Sequence, residues 1–193
     1  MLLIDHRVNT SARLASLARD CGAEIDLRDY DGEIRLTHDP LSSGEKLGDW
    51  LKGWKHALCV YNVKCDGLEL QVREAGLAAG VKDYFFLDCA APTLVRLARG
   101  GEKNLAVRFS EYEPLEGALA FEGLASWAWV DCFSKLSLTR ENYPRLKKAF
   151  KICLVSPELQ GHGKEAIAQY RQQLKDLGAE IDAVCTDFLD AWR

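Results

Sequence analysis

The sequence predicts an α/β protein of the compact (β/α)8 TIM-barrel class, its parallel strands joined by crossover helices. Apolar runs of strand length alternate with segments of helical period along all 193 residues, roughly eight of each. Such alternation calls for parallel strands, because each strand must be followed by a helix that carries the chain back. Nearly every strand also finishes in a polar residue. A barrel gathers those ends on one face, whereas an open sheet would scatter them along its edge.

The first strand runs from Leu2 to His6. A helix over Asn9 to Cys21 follows, with Leu14, Leu17 and Ala18 at helical spacing and Gly22 as its terminator. Strand two is Ala23 to Arg28, and Asp31-Gly32 turns the chain into a short return, Glu33 to Thr37, that delivers His38. A helix over Glu45 to Trp54 leads to strand three, Leu58 to Lys64; a helix over Gly67 to Ala79 leads to strand four, Tyr84 to Asp88. Next come a helix from Thr93 to Arg99, strand five from Leu105 to Phe109, a weak helix from Leu115 to Gly123 and strand six from Trp127 to Cys132. A helix over Arg140 to Phe150, strand seven over Ile152 to Ser156, a helix over Lys164 to Leu177 and strand eight over Ile181 to Thr186 complete the series. The polar strand ends are then His6, Asp26, Lys64, Asp88, Arg108, Asp131, Ser156 and Thr186-Asp187.

No Pro-rich linker or low-complexity segment interrupts the chain, so residues 1–193 read as one domain, shorter than the ~250 residues usual for this class. One internal echo, Gly22-Ala23-Glu24-Ile25-Asp26 against Gly178-Ala179-Glu180-Ile181-Asp182, reads as a reused helix-to-strand turn and not as a duplicated site.

Composition narrows the function classes. With 48% hydrophobic residues the chain can bury a sizeable core. A net charge of -4 without a dense Lys/Arg run gives no electrostatic footprint for nucleic acid or an anionic membrane surface. Seven cysteines, an odd number with no C-x-x-C spacing and mostly inside apolar runs, read as reduced core residues of a cytoplasmic protein. No stretch has the pattern of a signal peptide or the length of a membrane span.

The chemistry-bearing residues come early: His6-Arg7, then Glu24-Ile25-Asp26, then His38-Asp39. Glu24, Asp26 and Arg28 alternate along strand two and point to one face. Two carboxylates there repel each other and are costly to bury unless a cation neutralises them, and a hard divalent ion with oxygen ligands, Mg²⁺ or Ca²⁺, does so. Two imidazoles around such a pair supply what phosphodiester cleavage needs, one group to take a proton and one to give it. Each residue alone has a plainer explanation: a strand-end histidine is commonly a packed, hydrogen-bonded one, and acidic pairs are common. Their joint position at the ends of adjacent elements argues for a site.

These motifs resemble those of the glycerophosphodiester phosphodiesterase family, within the superfamily of PI-phospholipase-C-like phosphodiesterases. The family pattern of His-Arg, Asn-Thr, a Glu-x-Asp strand and His-Asp after a hairpin is similar to His6-Arg7, Asn9-Thr10, Glu24-Ile25-Asp26 and His38-Asp39. Its Glu-x-Lys strand end is similar to Asn62-Val63-Lys64, and its final Thr-Asp to Thr186-Asp187. The resemblance implies that His6 and His38 are the general acid and base, that Glu24 and Asp26 hold the metal with Asn62 at the third ligand position, and that Arg7 and Lys64 bind the phosphate. It further implies a small-molecule phosphodiester as substrate, whose neighbouring hydroxyl attacks phosphorus to give a cyclic phosphate.

The chain departs from the pattern in three places. Asn62 replaces an acidic ligand, so metal affinity falls or Asp88 compensates. The loop between His-Arg and Asn-Thr is nearly absent. The inserted subdomain that usually follows His-Asp is missing, since Pro40 to Gly44 runs straight into the next helix. Two other classes therefore stay open: a non-catalytic relative that binds a phosphorylated small molecule, and a lyase using Lys64 as a Schiff-base amine. Arg108, Glu111 and Asp131 are further pocket candidates or strand-end salt bridges. Trp127 and Trp129 read as core, His56 as a residue of the opposite strand end, His162 as an exposed loop residue, and Lys147-Lys148 as a solvated helix face.

Overall fold

The computed structural model describes all 193 residues. In chain order its elements are β1 (Leu2–Asp5), α1 (Ser11–Ser16), β2 (Gly22–Tyr30), β3 (Glu33–Leu36), β4 (Glu45–Lys46), α2 (Leu47–Leu51), β5 (Leu58–Val63), α3 (Glu69–Ala78), β6 (Tyr84–Leu87) and α4 (Ala91–Arg99). There follow β7 (Ala106–Phe109), α5 (Leu115–Leu119), β8 (Trp127–Val130), α6 (Asn142–Ala149), β9 (Lys151–Val155), a 3₁₀ turn over Pro157–Gln160, α7 (Ala166–Leu177), β10 (Ala183–Thr186) and α8 (Leu189–Trp192). The chain forms two compact units, one of residues 5–101 and one of residues 1–4 with 102–193. No helix is long and apolar enough to cross a membrane.

In the unit of residues 5–101 the strand order is β4-β3-β2-β5-β6. β2 and β3 form an antiparallel hairpin in which Tyr30 faces Glu33 and Leu27 faces Leu36. Its turn residues Asp31 and Gly32 have φ of 54° and 72°, the positive pair that a tight two-residue hairpin requires. β2 pairs in parallel with β5, and β5 with β6. The alternation along β2 separates two environments: Ala23, Ile25 and Leu27 are fully buried on one face, and Glu24 and Asp26 are buried on the other. On β5, Tyr61 joins Tyr84 and Phe86 of β6 in an aromatic cluster with ring centres 5.5–5.6 Å apart. Below the loop after β1, the buried Trp50 donates its indole N–H to the Val8 carbonyl at 2.8 Å.

The helix expected over Asn9 to Cys21 is shorter, six residues long. Thr10 caps its start by accepting from the Arg13 N–H, and the Leu17 backbone is already extended. Cys21 cannot be helical because its carbonyl accepts from the Ala57 N–H at 3.0 Å and so opens the β2–β5 ladder; Gly22 begins a strand and does not end a helix. The helix expected from Glu45 likewise starts two residues later. Glu45 and Lys46 pair with β3, and the Glu45 carboxylate accepts from the backbone N–H (2.7 Å) and hydroxyl of Ser11, satisfying the exposed start of α1 from a distance in sequence.

In the other unit the order is β1-β10-β9-β8-β7, with β7, β8, β9 and β10 mutually parallel. Its core is built from Ala128, Val130, Ile152, Leu154, Val184 and Leu146, all fully buried. α7 covers this sheet with Ile167, Tyr170 and Leu174 and ends at Gly178, whose φ of 66° allows the Ala179 N–H to reach the Leu174 carbonyl at 2.9 Å. Gly178 is thus a helix terminator where Gly22 is a strand residue, so the sequence echo is not a structural repeat. Five of the cysteines, Cys21, Cys59, Cys132, Cys153 and Cys185, are buried free thiols, while Cys65 and Cys89 are partly exposed.

Packing of α3 on β5 depends on Gly76. A Cβ at that position would stand 2.1 Å from the hydroxyl oxygen of the buried Tyr61. Gly76→Ala is expected to cost about 1–3 kcal/mol, as overpacking does. Adding Tyr61→Phe should restore part of that loss, measured as paired midpoints in urea denaturation; no recovery would show that the hydroxyl is not the obstacle.

Candidate active site

His6, His38, Arg7, Lys64, Glu24, Asp26 and Asn62, the residues expected to act as acid and base, bind phosphate and hold a metal, all lie in the unit of residues 5–101. The β2–β5 register sets Asp26 opposite Asn62, and Glu24 two residues earlier shares their face. Glu24 is 1% exposed and Asp26 fully buried. The Asn62 side-chain amide donates to Glu24 Oε1 at 2.8 Å, and the Arg7 backbone N–H donates to Glu24 Oε2 at 2.7 Å. Arg7 makes that contact from a left-handed backbone (φ 53°), an uncommon conformation for a residue with a side chain, held by the Val8 N–H bonded to the Glu24 carbonyl at 2.7 Å.

Asp26 is fixed by Asn9 through a reciprocal pair. The Asn9 amide donates to Asp26 Oδ2 at 2.8 Å, and the Asp26 backbone N–H donates to Asn9 Oδ1 at 2.9 Å. Arg7 Nε stands 3.9 Å from Asp26 Oδ2, with its side chain 47% exposed, so the guanidinium keeps donors free for a ligand. Lys64 Nζ lies 3.5 Å from Asp26 Oδ1 and 3.2 Å from Asp88 Oδ2, bridging the ends of β2 and β6. Asp88, named above as a possible replacement ligand, is therefore the partner of Lys64, itself held in a left-handed backbone (φ 63°).

His6 is half-buried and close enough to Glu24 to favour its charged form. His38 stands at the rim, its side chain 43% exposed and its Nδ1 3.0 Å from Asp39 Oδ1. Its backbone carbonyl accepts from Arg28 Nε at 2.9 Å, and Arg28 also donates to the Lys64 carbonyl at 3.3 Å, so Arg28 ties both segments to β2. The hydrogen bond from His38 holds the Asp39 carboxyl below its ordinary range, with Arg7 and Arg28 adding to the effect. The contacts thus join Glu24, Asp26, Asn62, Arg7 and Lys64 directly, while His6 enters through charge and His38 through Asp39 and Arg28. Asn9 and Arg28 carry structural roles that sequence spacing alone does not reveal.

The donor chemistry suits a hard cation. Asn62 Oδ1 is a buried oxygen with no hydrogen-bond partner, and Asp26 Oδ1, also without a hydrogen bond, has the Lys64 ammonium 3.5 Å away; such buried acceptors are costly unless positive charge meets them. Each Glu24 oxygen accepts one bond and retains a lone pair. No group of three or more His, Cys, Asp or Glu side chains converges to hold a metal ion. A cation at this point would take Asp26, Asn62 and Glu24 as its protein ligands, with waters completing an oxygen shell.

The residues flagged at the ends of β7 and β8 form a separate, internally satisfied network in the other unit. Asp131 is ion-paired with Arg108 and accepts from Gln160 Nε2 at 2.8 Å; burial raises its carboxyl to about 6 against the pull of Arg108. Glu111 is held by Ser134 and Ser137, and Glu158, beyond β9, accepts from the Thr186 hydroxyl at 2.5 Å and the Asp187 N–H at 3.1 Å. These bonds use the groups as structural ties. His56 bonds the Leu17 carbonyl at 3.1 Å beside the start of β5, and His162 the Phe133 carbonyl at 3.0 Å.

The fold is similar to that of a glycerophosphodiester phosphodiesterase from Agrobacterium tumefaciens, with a TM-score of 0.73 and 14% identity, covering 100% of this chain and 99% of that one. It is also similar to a glycerophosphoryl diester phosphodiesterase from Parabacteroides distasonis, with a TM-score of 0.67 and 13% identity over 96% of this chain and 82% of that one. No family model and no curated protein matches the sequence. The likeness shows the fold: α/β with a parallel-strand sheet, similar to the TIM barrels of those enzymes and without a long inserted subdomain, though the ring expected from the sequence is not closed, since β6 and β7 are not paired with each other.

Glu24 gives a direct test of the electrostatics. Burial and the neighbouring Asp26 raise its carboxyl above the ordinary 4.5, against smaller opposing effects of His6, the Arg7 N–H and Asn62. The folded state then keeps a proton that the unfolded chain has lost, so this group costs stability as pH rises from 4.5 through its raised value, and nothing below. In EDTA, the melting temperature of the wild type relative to Glu24→Gln should decline over that window and level off above it. A constant or rising difference would contradict the shift.

Proposed function

We propose that this chain is a metal-dependent phosphodiesterase of the glycerophosphodiester phosphodiesterase type. The observation that carries the reading is the buried Glu24–Asp26 pair with the unpartnered Asn62 Oδ1 beside it and no hydrogen bond to Asp26 Oδ1, flanked by the guanidinium of Arg7 and the ammonium of Lys64. Such a site offers acidic and amide oxygens to a cation and two fixed positive groups to a phosphate. The fold shared with two phosphodiesterases supports it.

Arg7 and Lys64 would bind the non-bridging phosphate oxygens and offset charge that builds on them during attack. One of His6 and His38 takes the proton from the substrate hydroxyl next to the ester as its oxygen attacks phosphorus. The other gives a proton to the departing alkoxide, leaving a cyclic phosphate and a free alcohol. With the roles reversed and water as nucleophile, the ring opens to a phosphomonoester. A bound Mg²⁺ or Ca²⁺ supplies Lewis-acid polarisation of the phosphate. Arg28 and Asp39 hold the His38 segment, and Asn9 holds Asp26 in its orientation.

A non-catalytic, phosphate-binding relative is the second reading, favoured by Asn62: its neutral side chain spends its N–H on Glu24 where the family pattern places a carboxylate. The lyase reading loses ground, since Lys64 serves as the charge partner of two carboxylates. Hydrolysis of bis(p-nitrophenyl) phosphate and of a glycerophosphodiester panel separates these cases. Turnover should stop in EDTA, return with Mg²⁺ or Ca²⁺, and fall about 10²-fold or more in His6→Ala and His38→Ala. Turnover indifferent to both substitutions would refute the mechanism, binding without turnover would favour the relative, and a borohydride-trapped adduct on Lys64 would favour the lyase.

A further inference from the structure

Lys147 and Lys148, read from the sequence as a solvated helix face, belong to a larger arrangement in the unit containing residues 102–193. A surface concavity of about 430 Å³ lies beside the N-terminal ends of β8, β9 and β10, lined by Lys103, Lys147, Lys148 and Lys151 with Asp182 as its one acid. That carboxylate is already engaged: Asp182 Oδ2 accepts from Lys147 Nζ at 2.6 Å and from the Ile152 N–H at 2.7 Å. Lys103 Nζ donates to the neutral Gly123 carbonyl at 2.5 Å, Lys151 Nζ stands 5.4 Å from the centre of the Trp127 ring, and Lys148 is exposed on the rim.

The helix dipole explains part of this. Lys147 and Lys148 occupy the last turn of α6, where partial negative charge favours cations. It does not explain Lys103, from the segment before β7, or Lys151, which opens β9; four ammonium groups from three places in the chain share a single hollow in a protein of net charge -4. The floor is apolar, formed by the buried Ala125 and Phe150, so water is excluded from one side and the cationic rim is less well screened there.

We propose that this concavity binds a small anion carrying two or more phosphate groups, such as a pyrophosphate or triphosphate compound. A single carboxylate or monophosphate would neutralise only part of the rim, and a hollow of this size favours a compact polyanion over the extended backbone of a nucleic acid. The proposal is independent of the phosphodiesterase reading, because none of these lysines belongs to the candidate active site.

Isothermal titration of the full chain with orthophosphate, pyrophosphate and tripolyphosphate tests it. Affinity should rise along that series and fall with added salt. The exposed-residue variant Lys148→Glu/Lys151→Glu should bind tripolyphosphate about tenfold or more weakly, and Lys148→Arg/Lys151→Arg should retain binding. Absence of binding, or full binding in the charge-reversed variant, would overturn the proposal. So would a single-stranded oligonucleotide that binds more tightly than tripolyphosphate.

Discussion

Two carboxylates buried side by side on one face of β2 are the constraint around which the candidate site is organised. Glu24 and Asp26 are removed from water at a cost of several kcal/mol each before any compensation, and Asp26 raises the cost of ionising Glu24. A fold retains such a pair only where positive charge and hydrogen-bond donors meet it. Here the Arg7 N–H, the Asn62 amide and the Asn9 amide supply donors, and Arg7 and Lys64 supply charge. Asn62 Oδ1 still lacks a partner and Asp26 Oδ1 has no hydrogen bond, only the Lys64 ammonium at 3.5 Å, and that residual deficit is the physical reason to propose a cation.

The backbone is arranged to serve the same pair. Parallel register brings Asn62 beside Asp26, and a left-handed Arg7 turns its N–H onto Glu24. A second left-handed residue, Asp88, ends the neighbouring strand and receives Lys64. Conformations uncommon for residues with side chains thus stand at two of the strand ends that carry charge, where strain is held by the surrounding bonds. The other unit treats its polar strand ends differently. Asp131 is closed by Arg108 and Gln160, and Glu158 by Thr186 and the Asp187 backbone, so these acids act as ties between loops.

Much of the fold was readable from the sequence because the alternation of apolar runs is a local property. The hairpin at Asp31-Gly32 was legible for the same reason, as was a polar residue at or directly after the ends of β1, β5, β6, β8, β9 and β10. Element limits failed where a distant partner decides them: Cys21 is drawn into a strand by Ala57, and Glu45 is held in a short strand by β3 while its carboxylate serves Ser11. In the site, the period-two rule foresaw that Glu24 and Asp26 share a face. The Asn9–Asp26 exchange, the double role of Arg28 and the engagement of Asp88 by Lys64 depend on which groups meet across the fold, and spacing carries no record of that. The lysine-lined hollow is the same lesson, since Lys103 and Lys151 become neighbours only through the packing of β7 to β9.

Anomalous diffraction from crystals soaked in Mn²⁺ bears most directly on whether the buried acidic pair is a cation cradle. The expected map has a peak roughly 2.0–2.6 Å from both Asp26 Oδ1 and Asn62 Oδ1, with Glu24 in reach. A map without that peak, in which the Lys64 ammonium keeps its place 3.5 Å from Asp26 Oδ1 as the sole counter-charge there, would contradict it.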